Sequence, residues 1–146
     1  MDKHSYLEKI VETMALSPLP IALFQVQMRK FKTVALTTGL LDALNLDEKE
    51  ARKIFDEDPY FLSLPEDKPA LMRAMDNFLS GKSPFDEAVR MRFGSHKTCH
   101  EVRAIGKRFY FEDRLYAYFL FADLSPFILT HADTLKAPLR MRNKVL

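Results

Sequence analysis

Cysteine is nearly absent. Cys99 is the single one in 146 residues, so no disulfide can close within the chain and nothing points to an oxidising compartment. The sequence has no glycine-rich phosphate loop, no nucleophile elbow and no His-Glu zinc helix, which leaves no visible catalytic constellation. Long apolar runs are missing as well. The N-terminal MDKHSYLEKIVETM carries acidic residues inside its apolar pattern and is neither a secretory signal nor a membrane span. Cytoplasm is the expected location. An excess of one charge is also lacking: 22 basic against 20 acidic residues leave a net +2, which gives no strong pull toward nucleic acid or an anionic membrane. There is no internal repeat and no low-complexity tract.

What is there is 47% apolar and 29% charged, ordinary for a soluble globular protein and enough for one domain. The organising stretch runs from Ser83 to Phe127 as three strand-like segments, SPFDEAVRMRF, TCHEVRAIGKRFYF and RLYAYFLFADLSPF. In the first, Phe85, Val89, Met91 and Phe93 share one phase of a period-two pattern, opposite Ala88, Arg90 and Arg92. The third is apolar in both phases: Leu115, Ala117, Phe119 and Phe121 on one face, Tyr116, Tyr118, Leu120 and Ala122 on the other. Such a strand must be covered on both faces. The middle segment changes phase between Val102-Ala104 and Phe109-Phe111, which predicts a bulge near Gly106. Glu112-Asp113 is the expected turn into the third strand.

Upstream, Leu7, Ile10, Val11 and Met14 mark an amphipathic helix over 6–16, ended by Ser17-Pro18. IALFQVQM and FKTVALTT, joined at Arg29-Lys30, are expected to pair as a hairpin. Leu40, Leu41 and Leu44 suggest a helical turn. Asp47 and Glu50 have capping-box spacing for a helix over 48–55, and Asp67 is the expected cap of a helix bearing Leu71, Met75, Phe78 and Leu79 that stops at Gly81. The sum is an α+β arrangement: a five-stranded antiparallel sheet with helices on one face and an N-terminal helix besides. The first strand is expected between the early hairpin and the late meander, making a half-open cup. The divisions are a helix over 1–17, a domain over 18–128 and a linker over 129–146.

These residues resemble the PAS domain over 18–127. SPLPIALFQV is similar to the PAS first strand, Leu64-Pro65-Glu66-Asp67 stands where the family has His-Pro-Asp-Asp before its long helix, and the late meander matches its three closing strands, with Asp123 near the exit. The likeness is greatest to PAS modules that precede diguanylate cyclase (GGDEF) or phosphodiesterase (EAL) domains in bacteria. It implies a non-catalytic sensory module that binds a small ligand or partner and regulates an attached output domain. Thr37-Thr38 replaces the family's polar Asn or Ser. Haem-binding members carry a His on the long helix, which 70–80 lacks. Flavin photosensors carry a reactive Cys on the preceding helix, whereas Cys99 falls in the late strands. Haem and flavin are therefore unsupported.

The resemblance implies that some of Phe24, Leu36, Leu41, Met75, Phe78, Met91, Ile105 and Phe119 line a ligand cavity; otherwise they fill the core. A homodimer is expected, through Leu7, Ile10, Met14, Tyr116, Tyr118 and Leu120, either with ligand binding or as the sole function of an interaction module with a filled core. An enzyme on a conical fold like that of ketosteroid isomerase ranks below both, because such folds open with helices before the main sheet. His96, Cys99 and His100 lack a fourth ligand at matching spacing and suggest a surface turn, not a metal site. Asp56, Glu57, Asp58, Glu66 and Asp67 suggest a solvated loop with one helix cap, and Arg90, Arg92 and Arg103 the wet face of a sheet. Arg140, Arg142 and Lys144 suggest a linker.

Overall fold

The computed structural model describes residues 3–92 and 99–123. Phe93, His96 and the 129–146 linker lie outside the described residues, and with them the proposed grouping of His96 with Cys99 and His100. In chain order come α1 (Lys3–Ala15), β1 (Ile21–Gln27), β2 (Lys30–Leu36), α2 (Thr38–Leu44), α3 (Glu48–Glu57), a short 3-10 turn (Pro65–Asp67), α4 (Lys68–Leu79), β3 (Phe85–Arg92), β4 (Cys99–Phe111) and β5 (Arg114–Asp123). All neighbouring strands pair antiparallel, in the order β2-β1-β5-β4-β3. The first strand thus lies between the early hairpin and the late meander, as the sequence implies. A conical fold, which would need its helices before the sheet, is not what forms.

Both two-residue hairpin loops are built without glycine. Met28 and Arg29 have φ of 51° and 68°, and Glu112 and Asp113 have φ of 52° and 63°. Positive φ at both central positions is what a type I′ turn requires, and its twist matches that of the strands it joins. The first loop is therefore Met28-Arg29, one residue earlier than expected, with Lys30 already paired to Gln27.

The predicted bulge near Gly106 does not exist. β4 keeps continuous register with β3 from Cys99 to Gly106 and with β5 from Val102 to Phe111. The apolar phase changes because one straight strand serves two cores: Val102, Ala104 and Gly106 face the helices, while Phe109 and Phe111 face the opposite side of the sheet. Gly106 has a packing cause. A Cβ there would stand 2.7 Å from the Phe119 ring and 3.1 Å from Phe85. The sheet's irregularity lies instead between β1 and β2, where Leu23 pairs with Ala35 and Phe24 with Thr33, leaving Val34 as the extra residue.

The helices close as their sequences suggest, with one exception. The Thr37 side chain caps α2, and the Asp47 carboxylate accepts from the Glu50 amide at 2.8 Å to cap α3. Gly81 takes φ of +81° just past α4, where a left-handed residue ends a helix at least cost. Asp67, however, makes no capping bond. Its carboxylate is engaged by Arg90, whose Nε and Nη2 donate at 3.1 and 2.7 Å.

Two apolar clusters result, one on each side of the sheet. The larger lies beneath α2, α3 and α4 and holds Phe24, Phe55, Phe78, Phe85 and Phe119. On the other side, Leu23, Ala35 and Tyr116 are buried, with Leu7, Val11 and Met14 of α1 packed against them. β5 supplies both: Ala117 and Phe119 to the first, Tyr116 to the second. The covering of both faces that the final strand's sequence demands is thus met within this chain at Tyr116 and only in part beyond it, where Tyr118 is 36% exposed and Leu120 half-buried.

Candidate ligand cavity

Phe119 organises the interior of the larger cluster. Its ring meets Phe85 edge-on with centroids 5.4 Å apart, Phe78 at 5.8 Å, and lies tilted against Phe24 at 6.0 Å. Phe24 in turn meets Phe31 at 5.2 Å and Phe55 at 5.7 Å. Edge-to-face contacts of this kind add to the burial of the rings themselves. They also leave gaps that flat rings cannot fill.

One gap of about 40 Å³ lies among Phe24, Phe55, Tyr60, Ser63, Leu71, Met75, Met91 and Phe119. A second of about 40 Å³ lies among Pro20, Leu40, Ala43, Leu44, Leu62, Met91 and Phe121. Each has room for a water or two, but water needs polar partners, and these walls are almost wholly apolar. Neither holds a group the size of a flavin or a haem. Among the described residues the one cysteine, Cys99, is exposed on β4 and lines neither gap. The residues present do not fit a flavin.

Of the residues expected to line a cavity, Phe24, Met75, Met91 and Phe119 do so. Leu36 and Phe78 are buried in the same core without lining either gap, and Leu41 is packed partly buried against it. Ile105 is a correction. It pairs with Leu120 and, next to Ala104 in a strand whose side chains alternate, stands on the opposite face from Val102 and Ala104. Of the residues expected on the outer face, Tyr116 is buried in the outer cluster, Leu7 and Met14 pack against that cluster, and Ile10 and Tyr118 are 44% and 36% exposed. Leu120 is half-buried.

The rim of the first gap is the one polar part, and the sequence did not single it out. Tyr60 and Ser63 come from the connection between α3 and α4. Ser63 Oγ donates to the Tyr60 carbonyl at 2.7 Å, and the Tyr60 amide donates to Asp58 at 2.9 Å. Burial, with Asp76 and Asp58 nearby, pushes the Tyr60 phenol up to about 12. Three of the five acidic residues expected in a solvated loop, Asp56, Asp58 and Asp67, each hold part of the fold. Asp56 accepts from the Thr33 amide at 2.7 Å. Asp58 pairs with Lys68 at 2.8 Å; burial opposes its charge, but the Lys68 and Tyr60 hydrogen bonds win and keep its carboxyl low. Asp67 is held low chiefly by its hydrogen bonds from Arg90, as Asp86 is by Arg103. Two of the three arginines read as the wet face of a sheet are thus committed to carboxylates. Among the described residues no group of three or more His, Cys, Asp or Glu could hold a metal ion.

No family model matches the sequence, and no curated protein does. Solved structures do match. The chain is similar to the Rhodobacter sphaeroides LOV protein at 12% identity and a TM-score of 0.68, over 85% of this chain and 69% of that one. A PAS domain from Colwellia psychrerythraea gives 11% identity and a TM-score of 0.63, over 83% and 98%. A domain of a light and redox sensing histidine kinase from Haloarcula marismortui gives 13% and 0.55, over 81% and 98%. At such identities the likeness is one of fold: the chain adopts the five-stranded PAS fold with an added N-terminal helix.

Proposed function

We propose that this chain is a non-catalytic sensory module in which occupation of the interior is passed through the sheet to α1, and from there to an output domain. The observation that carries this reading is that β5 places Phe119 in the inner core and Tyr116, three residues earlier, in the outer cluster against which α1 packs. Any repacking of Phe119 moves the backbone on which Tyr116 stands. The change is a population shift between two packings of the sheet. An output of the diguanylate cyclase kind follows from the sequence resemblance; sensor histidine kinases occur among the structurally similar proteins. Amide exchange tests the transmission. Phe119→Leu opens space in the inner core and is expected to alter protection across α1 as well as around Met75. Altered protection around Met75 with α1 unchanged would refute the reading.

A second reading, a homodimer that meets through α1, is favoured by the outward apolar side chains on it and just after it: Tyr6, Ile10 and Leu16 are 57%, 44% and 76% exposed. Sedimentation of Ile10→Glu against the wild type tests it. Loss of a dimer upholds this reading, and a monomeric wild type at high concentration dismisses it.

A further inference from the structure

The linker between α1 and β1 is gripped by the start of α2. Thr37 Oγ1 donates to the Leu19 carbonyl and accepts from the Ile21 amide at 2.9 Å. Thr38 Oγ1 and the Gly39 amide both donate to the Ser17 carbonyl, at 3.0 and 3.1 Å. Three successive residues thus bond to it. Gly39 brings the two backbones together: a Cβ there would stand 2.0 Å from the Pro18 carbonyl oxygen and 2.8 Å from the Leu19 carbonyl carbon, main-chain atoms that no change of rotamer can move aside. Pro18 and Pro20 fix their own φ and disfavour helical backbone at Ser17 and Leu19, so the linker has few ways to yield.

The two helices joined here lie on opposite faces of the sheet. α2 is rooted in the larger cluster by Leu40 and Leu44, whereas α1 packs against the outer cluster through Leu7, Val11 and Met14, none of which is itself buried. The grip on Ser17 and Pro18 therefore connects a firmly seated helix to a lightly seated one, round the end of the sheet.

We propose that α2 steers α1 through this latch, which makes a second route, beside β5, from the inner core to the N-terminal helix. A shift of Leu40 or Leu44 carries the start of α2 with it, and Gly39 cannot move toward the linker without displacing Pro18. The latch rests on the sensory reading above only for its purpose, since that reading makes α1 the transmitting element; the coupling of the two helices stands on the contacts themselves.

Amide exchange of the full chain, read in the last turns of α1 relative to Val102 in β4 so that global unfolding is divided out, tests the latch. Leu44→Ala loosens the buried face of α2 and is expected to change exchange in α1 by about threefold or more. Gly39→Ala forces the linker off α2 and is expected to abolish that response. Thr38→Val removes one hydrogen bond without a steric clash and is expected to reduce the response, so a loss of folding in the Gly39 variant leaves the test intact. No response of α1 to Leu44→Ala, or one that persists undiminished in the Thr38→Val background, would overturn the proposal. An α1 that answers Leu44→Ala but not Phe119→Leu would uphold the latch and refute transmission through β5; the reverse would overturn the latch and leave β5 standing.

Discussion

Gly106 and Phe119 are cross-strand partners in the β4–β5 ladder, and the Phe119 ring occupies the space that a Gly106 side chain would take. The centre of the core is therefore set by an omission: one missing methyl group admits the ring that joins Phe24, Phe78 and Phe85.

Gly106→Ala is expected to destabilise the fold by about 1–3 kcal/mol, the usual cost of overpacking a filled core. Combining it with Phe119→Leu should recover part of that loss, since the two changes compete for one space. Chemical denaturation of the singles and the double measures the coupling; strict additivity would refute the steric account.

Thr37 is wholly buried beneath the start of α2. Its hydroxyl donates to the Leu19 carbonyl and accepts from the Ile21 amide at 2.9 Å and the Leu40 amide at 3.3 Å. Thr37→Val keeps the shape and strands those groups, at an expected cost of about 1–3 kcal/mol. Thr37→Ser keeps the hydroxyl and should cost less, about 0.8 kcal/mol for the lost methyl. Thermal unfolding of the pair decides whether the hydroxyl or the packing matters.

Asp56 and Arg52 clamp the free edge of β2 at its bulge. Asp56 accepts from the Thr33 amide, while Arg52 donates to the Thr33 and Val34 carbonyls at 3.0 and 2.8 Å. Unpaired edges invite association. Asp56→Ala is expected to cost about 1–2 kcal/mol, to speed exchange of the Thr33 amide and to promote aggregation at high concentration. Unchanged Thr33 exchange would count against the clamp.

Tyr60 gives the fold an alkaline dependence. Its folded value, about 12, lies above the ordinary 10.0. The folded state therefore keeps a proton that the unfolded state releases first, and this contribution is complete below pH 10 and lost as pH rises toward 12. Tyr60→Phe should flatten the fall in stability across that window relative to the wild type. Phenolate absorbance, followed by pH titration, reports the same group directly, and a normal titration of Tyr60 would overturn the assignment.

The fold was largely legible from period-two and helical patterns, because β3, α1 and α4 each present one apolar face to one core. β4 misled for the same reason in reverse. Its two halves face different cores, and a change of phase in a straight strand cannot be told from a bulge by sequence. The hairpin turns were placed by spacing alone, since nothing in Met28-Arg29 or Glu112-Asp113 advertises positive φ. Asp67 fits a cap by position, but Arg90 is distant in sequence and claims it in space. For the cavity, the apolar candidates were visible as bulky residues in strands and α4. The rim was not, because Tyr60 and Ser63 lie in an irregular connection whose aim only tertiary structure fixes.

The first strand hydrogen-bonds to the last, Val26 beside Leu115 and Ile21 beside Leu120. A ribosome delivers these partners nearly a whole domain apart, so the early hairpin must wait with one margin open until β5 emerges. Such distant closure is entropically costly and slow. Biogenesis of this domain is thereby tied to completion of its final strand, and stalled fragments are expected to be the species that quality-control proteases and chaperones meet.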